Sequence, residues 1–121
     1  MAGSVRYVTT RVTLTGSVAP IALEEAGLVP GRSLELGDGA SASRPILLSE
    51  TPIEILNIVA DVATITASVA TLAHWLHKLS RRKGVVIERI GRTTIERVTE
   101  NEIVRVLHEE IRREVEDRES T

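Results

Sequence analysis

The chain has no cysteine and no phenylalanine, and only one tryptophan and one tyrosine among 121 residues. Without thiols there is no disulfide framework, no thiolate nucleophile and no cysteine metal site. With so few aromatic rings, stacking on bases is a poor route to nucleic-acid recognition. An excess of one charge is also missing: 15 Lys and Arg stand against 17 Asp and Glu, a formal net charge of −2. A surface that binds polyanions as a whole is therefore excluded. No repeat of solenoid period is visible, and the length suits one domain, 1–121, with a core of Val, Ile, Leu and Ala. Met1 to Tyr7 holds one Arg and no apolar run, so it reads as neither signal peptide nor anchor, and a cytoplasmic location is expected.

What the chain does have is a long periodic stretch, Thr51 to Lys83. Thr51, Pro52 and Glu54 form a capping box at its start. Lys78, Arg81, Arg82 and Lys83 complement the helix dipole at its end, where Gly84 supplies a left-handed cap. The expectation is one central apolar helix over about 52–83. Steps of three and four residues line up Ile55, Ile58, Val62, Ile65, Val69, Leu72, Leu76 and Leu79 as a zipper-like seam. A second row, Ala60, Ala63, Ala67 and Ala70, is small enough for close backbone approach, and a polar row runs through Glu54, Asn57, Asp61, Thr64, Ser68 and Thr71. So much apolar circumference points to self-association, with Ile58, Ala60, Asp61, Ala63, Ile65, Ala67, Leu72, Trp75 and Leu76 as the candidate interface. Ile55 to Leu76 is also long enough to cross a membrane, against which stand Asn57, Asp61 and His74.

The flanking segments complete an α+β reading. Residues 1–50 form a β-rich part: Val5 to Thr15 as one bent strand or two short ones, a helical turn over Pro20 to Ala26, and a strand at SLEL. A flexible loop is expected near 37–44, and RPILLSE adds a short strand. Residues 51–121 form a helix-hairpin-helix part, whose hairpin over about 85–98 turns at Gly91-Arg92. With a four-residue connection, Ile90 faces Ile95, Arg89 faces Glu96 and Glu88 faces Arg97. A second capping box, Thr99 to Glu102, opens an amphipathic helix over about 100–117 with Ile103, Val104, Leu107, Ile111 and Val115 on its apolar stripe.

Candidate chemistry is sparse. His74, His77 and His108 are enough imidazoles for a metal but lack a carboxylate at ligand spacing and an H-E-x-x-H motif. Asp61 interrupts an apolar run, where a hydrogen-bonded polar stripe explains it more simply than catalysis. The run Lys78, Arg81, Arg82 and Lys83 suits phosphates or a solvated helix end, and Trp75 beside it suits an interface anchor. No phosphate loop, nucleophile elbow or dinucleotide fingerprint occurs, so no catalytic residue, metal ligand or cofactor is assigned.

The order ASVATLAHWLHKLSRRK, VVIERIGRTTIERV and ENEIVRVL over Ala67 to Leu107 resembles the effector-associated constant component family of small bacterial proteins. The resemblance covers about a third of the chain and implies a non-enzymatic adaptor of a conflict system, partnered by effector proteins. Arg11 to Leu36 is similar in order to swapped-hairpin DNA-binding domains of the AbrB type, which implies a DNA-binding alternative with Arg6, Arg11, Arg32 and Arg44 as its cations. The leading expectation is a protein-interaction or assembly module, a homo-oligomer or effector partner, with DNA binding and a small membrane-associated subunit as alternatives.

Overall fold

The computed structural model describes residues 6–46 and 53–119. Their order is β1 (Tyr7–Thr15), α1 (Ala19–Glu25), β2 (Ser33–Gly37), β3 (Ala40–Ser43), β4 (Ile53–Asp61), a 3-10 turn (Val62–Thr64), α2 (Ile65–Ser80), β5 (Val86–Ile90), β6 (Thr93–Thr94) and α3 (Glu100–Glu119). The strands form one antiparallel sheet in the order β2-β3-β4-β1-β5-β6. The expected α+β class holds, but its centre is a sheet and not one long helix.

The first part of the expected helix is the strand β4, paired with β1 from Tyr7 opposite Asp61 to Thr15 opposite Ile53. Ile53, Ile55, Ile58 and Val59 are β-branched, which favours a pleated strand. The run is apolar on both of its faces, so steps of three and four residues are satisfied as easily as steps of two. Leu56, Ile58 and Ala60 point into the core, and Ile55, Asn57 and Val59 point the other way. The expected capping box fails because Glu54 lies in the strand, while Thr51 and Pro52 fall outside the described residues, as do Val5 and the end of RPILLSE. Asp61 marks the switch: its backbone is extended, at φ −85 and ψ 116, and its carboxylate accepts the Ala63 N–H at 3.0 Å, capping the turn that leads into α2.

Three further corrections follow from pairing. Residues 37–43 belong to a tight hairpin instead of a flexible loop, with Gly37 opposite Ala40 around Asp38-Gly39. Both turn residues have positive φ, 55 and 78, the geometry that matches the twist of the flanking strands. The β5–β6 hairpin also uses a two-residue turn, so Ile90 faces Thr93 and Arg89 faces Thr94. That register leaves the anticipated Arg89–Glu96 and Glu88–Arg97 pairs unformed, and it buries both Ile90 and Ile95. In β1, finally, the inward residues are Val8, Thr10, Val12 and Leu14, which puts Tyr7 on the outer side of one continuous strand.

All three helices contribute to the single core cluster, which lies on one side of the sheet. α1 and α3 fall where expected, the latter with Thr99 Oγ1 accepting the Glu102 N–H at 3.2 Å. The Arg105 guanidinium, hydrogen-bonded to Glu102, holds that carboxyl below the usual carboxylate range.

Each hairpin tip is tied to a helix. The Asp38 carbonyl accepts from Ser68 Oγ and, at 3.3 Å, from Thr64 Oγ1, while its carboxylate accepts from Thr71 Oγ1 at 2.7 Å. At the other end the buried Glu110 of α3 accepts the Arg92 N–H at 3.0 Å and the Thr93 hydroxyl at 2.7 Å. Both tips need glycine: a Cβ on Gly39 would meet Asp61 Cβ at 2.6 Å, and one on Gly91 would meet Glu110 Cδ at 2.6 Å. An ion pair between buried Arg44 and half-buried Glu54 completes the frame, Arg44 Nη2 to Glu54 at 3.1 Å, with Arg44 Nη1 donating to the Leu28 carbonyl at 3.1 Å.

The far side of the sheet carries no layer among the described residues. Tyr7, Thr9, Arg11 and Thr13 of β1, Ile53, Ile55, Asn57 and Val59 of β4, and Val86 of β5 form that open face, where Tyr7 and Val86 are about half exposed.

Removing one member of a buried charged cluster strands the others. Arg44→Ala, which leaves a partly solvated Glu54 and an unmet Leu28 carbonyl, and Glu110→Ala should each cost about 1–3 kcal/mol. Arg32→Ala, at an exposed position, should change stability by less than about 0.5 kcal/mol. Urea unfolding followed by circular dichroism measures all three.

Candidate functional site

On the helix side a groove of about 550 Å³ lies between α1, β2 and the last turns of α2. Its walls come from three local patterns. On α1, Ala22 and Ala26 stand one turn apart and leave the wall low because they end at Cβ. On α2, Trp75, Lys78, Leu79 and Arg82 follow the helical spacing that brings residues three, four and seven apart onto one stripe. On β2, alternation turns Leu34 and Leu36 toward the core side. The floor is therefore aliphatic and aromatic.

The rim is charged and only partly neutralised. Arg82 and Glu25 form an ion pair that ties α2 to α1 at the end of the groove. Lys78 is exposed and makes no ion pair among the described residues. Glu35 shares the outward parity of Ser33, so it offers the groove main chain more than carboxylate. Such a site buries apolar groups and orients them with a cation. It holds no nucleophile paired with a base, and among the described residues no three His, Cys, Asp or Glu side chains converge as metal ligands.

The residues anticipated at an interface separate into distinct groups. Ile58, Ala60, Leu72 and Leu76 are at most 1 % exposed and belong to the chain's own core, so these members of the expected interface are internal. Asp61 is the helix-turn cap, buried at 6 %, with Arg6 Nε at 3.6 Å from its carboxylate. Ala63 and Ala67 are exposed, and the alanine row is broken because Ala60 sits in β4. Ile65 lines a smaller cleft with His108, Glu109 and Arg112. Of the whole set only Trp75 lines the groove.

Other candidates disperse as well. His74 Nδ1 lies 3.1 Å from Glu100 Oε1 and His77 Nδ1 3.9 Å from the same oxygen, while His108 sits beside Ile65. Of the arginines considered for DNA, Arg44 is buried in its ion pair and Arg6 meets Asp61. Arg11 is on the open face of β1, and Arg32 precedes β2, the edge strand three places away. The span Ile55 to Leu76 is strand followed by helix, and no described helix is long and apolar enough to cross a membrane.

Leu34, Leu36, Ala22 and Ala26 were missed as site residues. The SLEL alternation was legible, but nothing local says that this strand ends up at a sheet edge. Family models, curated proteins and solved structures give no match to this chain.

Groove wall and core should separate in stability. Leu72→Ala should cost about 2–5 kcal/mol and the half-buried Trp75→Ala about half as much. Equal losses in chemical denaturation would mean that Trp75 is a core residue and not a groove wall.

Proposed function

We propose that the protein is a non-enzymatic interaction module whose partner site is the groove beside Trp75. The observation that carries this reading is an apolar floor of Ala, Leu and Trp left open to solvent next to Lys78, whose cation has no ion-pair partner among the described residues. Aromatic anchors in partly desolvated clefts are where binding energy concentrates. The groove lacks the convergent polar groups that orient a small substrate, which supports a macromolecular partner. An adaptor role, as the resemblance over Ala67 to Leu107 implies, agrees with a site at the end of α2, since that segment supplies Trp75, Lys78, Leu79 and Arg82. The test places a photo-crosslinking amino acid at Lys78 or, as control, at Arg105 on α3, in the organism that encodes the protein. The expected result is an adduct at Lys78 alone, identified by mass spectrometry and lost in Trp75→Ala. Equal labelling at the two positions, or none at Lys78, overturns the reading.

A second reading, self-association, is favoured by the open face of the sheet and takes another copy of this chain as its occupant. β1 and β4 are each nine residues, about 30 Å long. With β3 and β5 beside them they offer a footprint on the order of that buried by a stable protein pair, ~800 Å² per partner. Ile55 and Val59 lie at its centre. Sedimentation should give a dimer that Ile55→Lys with Val59→Lys converts to monomer without loss of helix signal. A monomer at high concentration removes this reading.

A further inference from the structure

We infer that the groove's occupant is an extended peptide segment that adds to β2 as a seventh strand, with apolar side chains on alternate residues and an acidic residue at the Lys78 end. This rests on the groove reading above and names the form and chemistry of the partner. The carrying observation is the phase of the backbone. The Arg44 N–H donates to the Arg32 carbonyl at 3.0 Å. In an antiparallel ladder only every second residue points its N–H and C=O at the neighbouring strand. The Arg32 carbonyl and the backbone of Leu34 therefore face the β3 side, while the Arg32 N–H donates to the Val29 carbonyl at 3.1 Å, and Ser33 and Glu35 turn their donors and acceptors outward, away from β3.

The two edges of this sheet differ. β6 is two residues long, a length that blunts an edge, whereas β2 has five residues, neither proline nor lysine to block pairing, and a register shift only beyond Glu35, which leaves Ser33 to Glu35 regular. Beside that free edge lies the groove, on the side to which alternate residues of an added strand would point. A second copy of β2 does not fill it, because Leu34 and Leu36 are already packed against their own core. A foreign strand with two branched apolar residues fits the space between Leu36 and Trp75. Its next inward position reaches the rim, where Lys78 has no ion-pair partner among the described residues.

The test uses the full chain and two capped synthetic heptapeptides. One has the order TVTVTDT, and the other holds the same residues with the two valines adjacent. The single tryptophan of the chain is Trp75, so its emission reports groove occupancy directly. The alternating peptide should shift that emission saturably and slow amide exchange at Ser33 and Glu35 at least tenfold, with the control peptide inert. Glu35→Pro should abolish binding without unfolding, because that N–H points away from β3 and an edge strand tolerates proline there. Lys78→Glu should weaken binding about three- to fivefold, the scale of an exposed ion pair, and a TVTVTKT peptide should recover it.

Emission that shifts without protection at Ser33 and Glu35 overturns strand addition while the groove reading stands. No binding of the alternating peptide at millimolar concentration overturns strand addition too, and the crosslink at Lys78 then decides the groove reading independently. Protection of both amides that grows with protein concentration in the absence of peptide shows a second copy at the edge and also overturns the proposal.

Discussion

Hydroxyl groups of Thr64, Ser68 and Thr71 meet the Asp38-Gly39 turn, and this contact determines where α2 begins and how it lies. Asp61 caps the turn just before α2, and its own N–H donates to Ser68 Oγ at 3.4 Å, so strand end, hairpin tip and helix start share one polar knot. Its tightness follows from Gly39, whose missing side chain leaves the space that Asp61 occupies. At the opposite end of the sheet Glu110 plays the same part for the Gly91-Arg92 turn and α3. Two hairpins thus act as brackets, one for each long helix, and the aliphatic core between them has its layer spacing set from both ends.

The groove follows from this arrangement. α2 starts at the bracket and runs sixteen residues to Ser80, which brings Trp75, Lys78 and Leu79 beside α1 and the edge of the sheet. α1, only seven residues long and lined there by alanines, does not fill the gap. Binding at such a place would use surface that folding leaves incompletely packed, and the adjoining strand β2 is an edge of the sheet among the described residues. The helical part of the zipper-like seam, Val69, Leu72, Leu76 and Leu79, is in contrast buried inside the chain, so Leu72 and Leu76 stabilise the fold and leave recognition to residues about one third of a turn away.

Legibility varied with how local the determining physics was. α1, β2 and α3 were readable because proline at a helix start, strict alternation at SLEL and the Thr99 box act within a few residues. The stretch Ile53–Asp61 was not, because an apolar run with both faces buried or half-buried meets helical and strand templates equally. Its β-branched composition and the Asp-Gly pair at 38–39 were the available signals for strand and hairpin. In the candidate site, Trp75 and Lys78 stood out by type, while Ala22, Ala26 and Leu36 became visible only through neighbours distant in the chain.

By itself, the sequence determined the composition of the core, the absence of thiol chemistry, the helix cap at Thr99, the helix start marked by Pro20, and the tendency of each short segment toward strand or turn. Those properties depend on residue type and on neighbours within about one turn. Tertiary structure decided that Ile53 to Ala60 is a central strand, because pairing with β1 over nine residues outweighs a helical preference that β-branched side chains make weak. It also decided which cations are structural: Arg44 is held by Glu54 and the Leu28 carbonyl, while Lys78 is left facing the groove. No local rule distinguishes those two side chains, since the difference lies entirely in what the fold brings beside them.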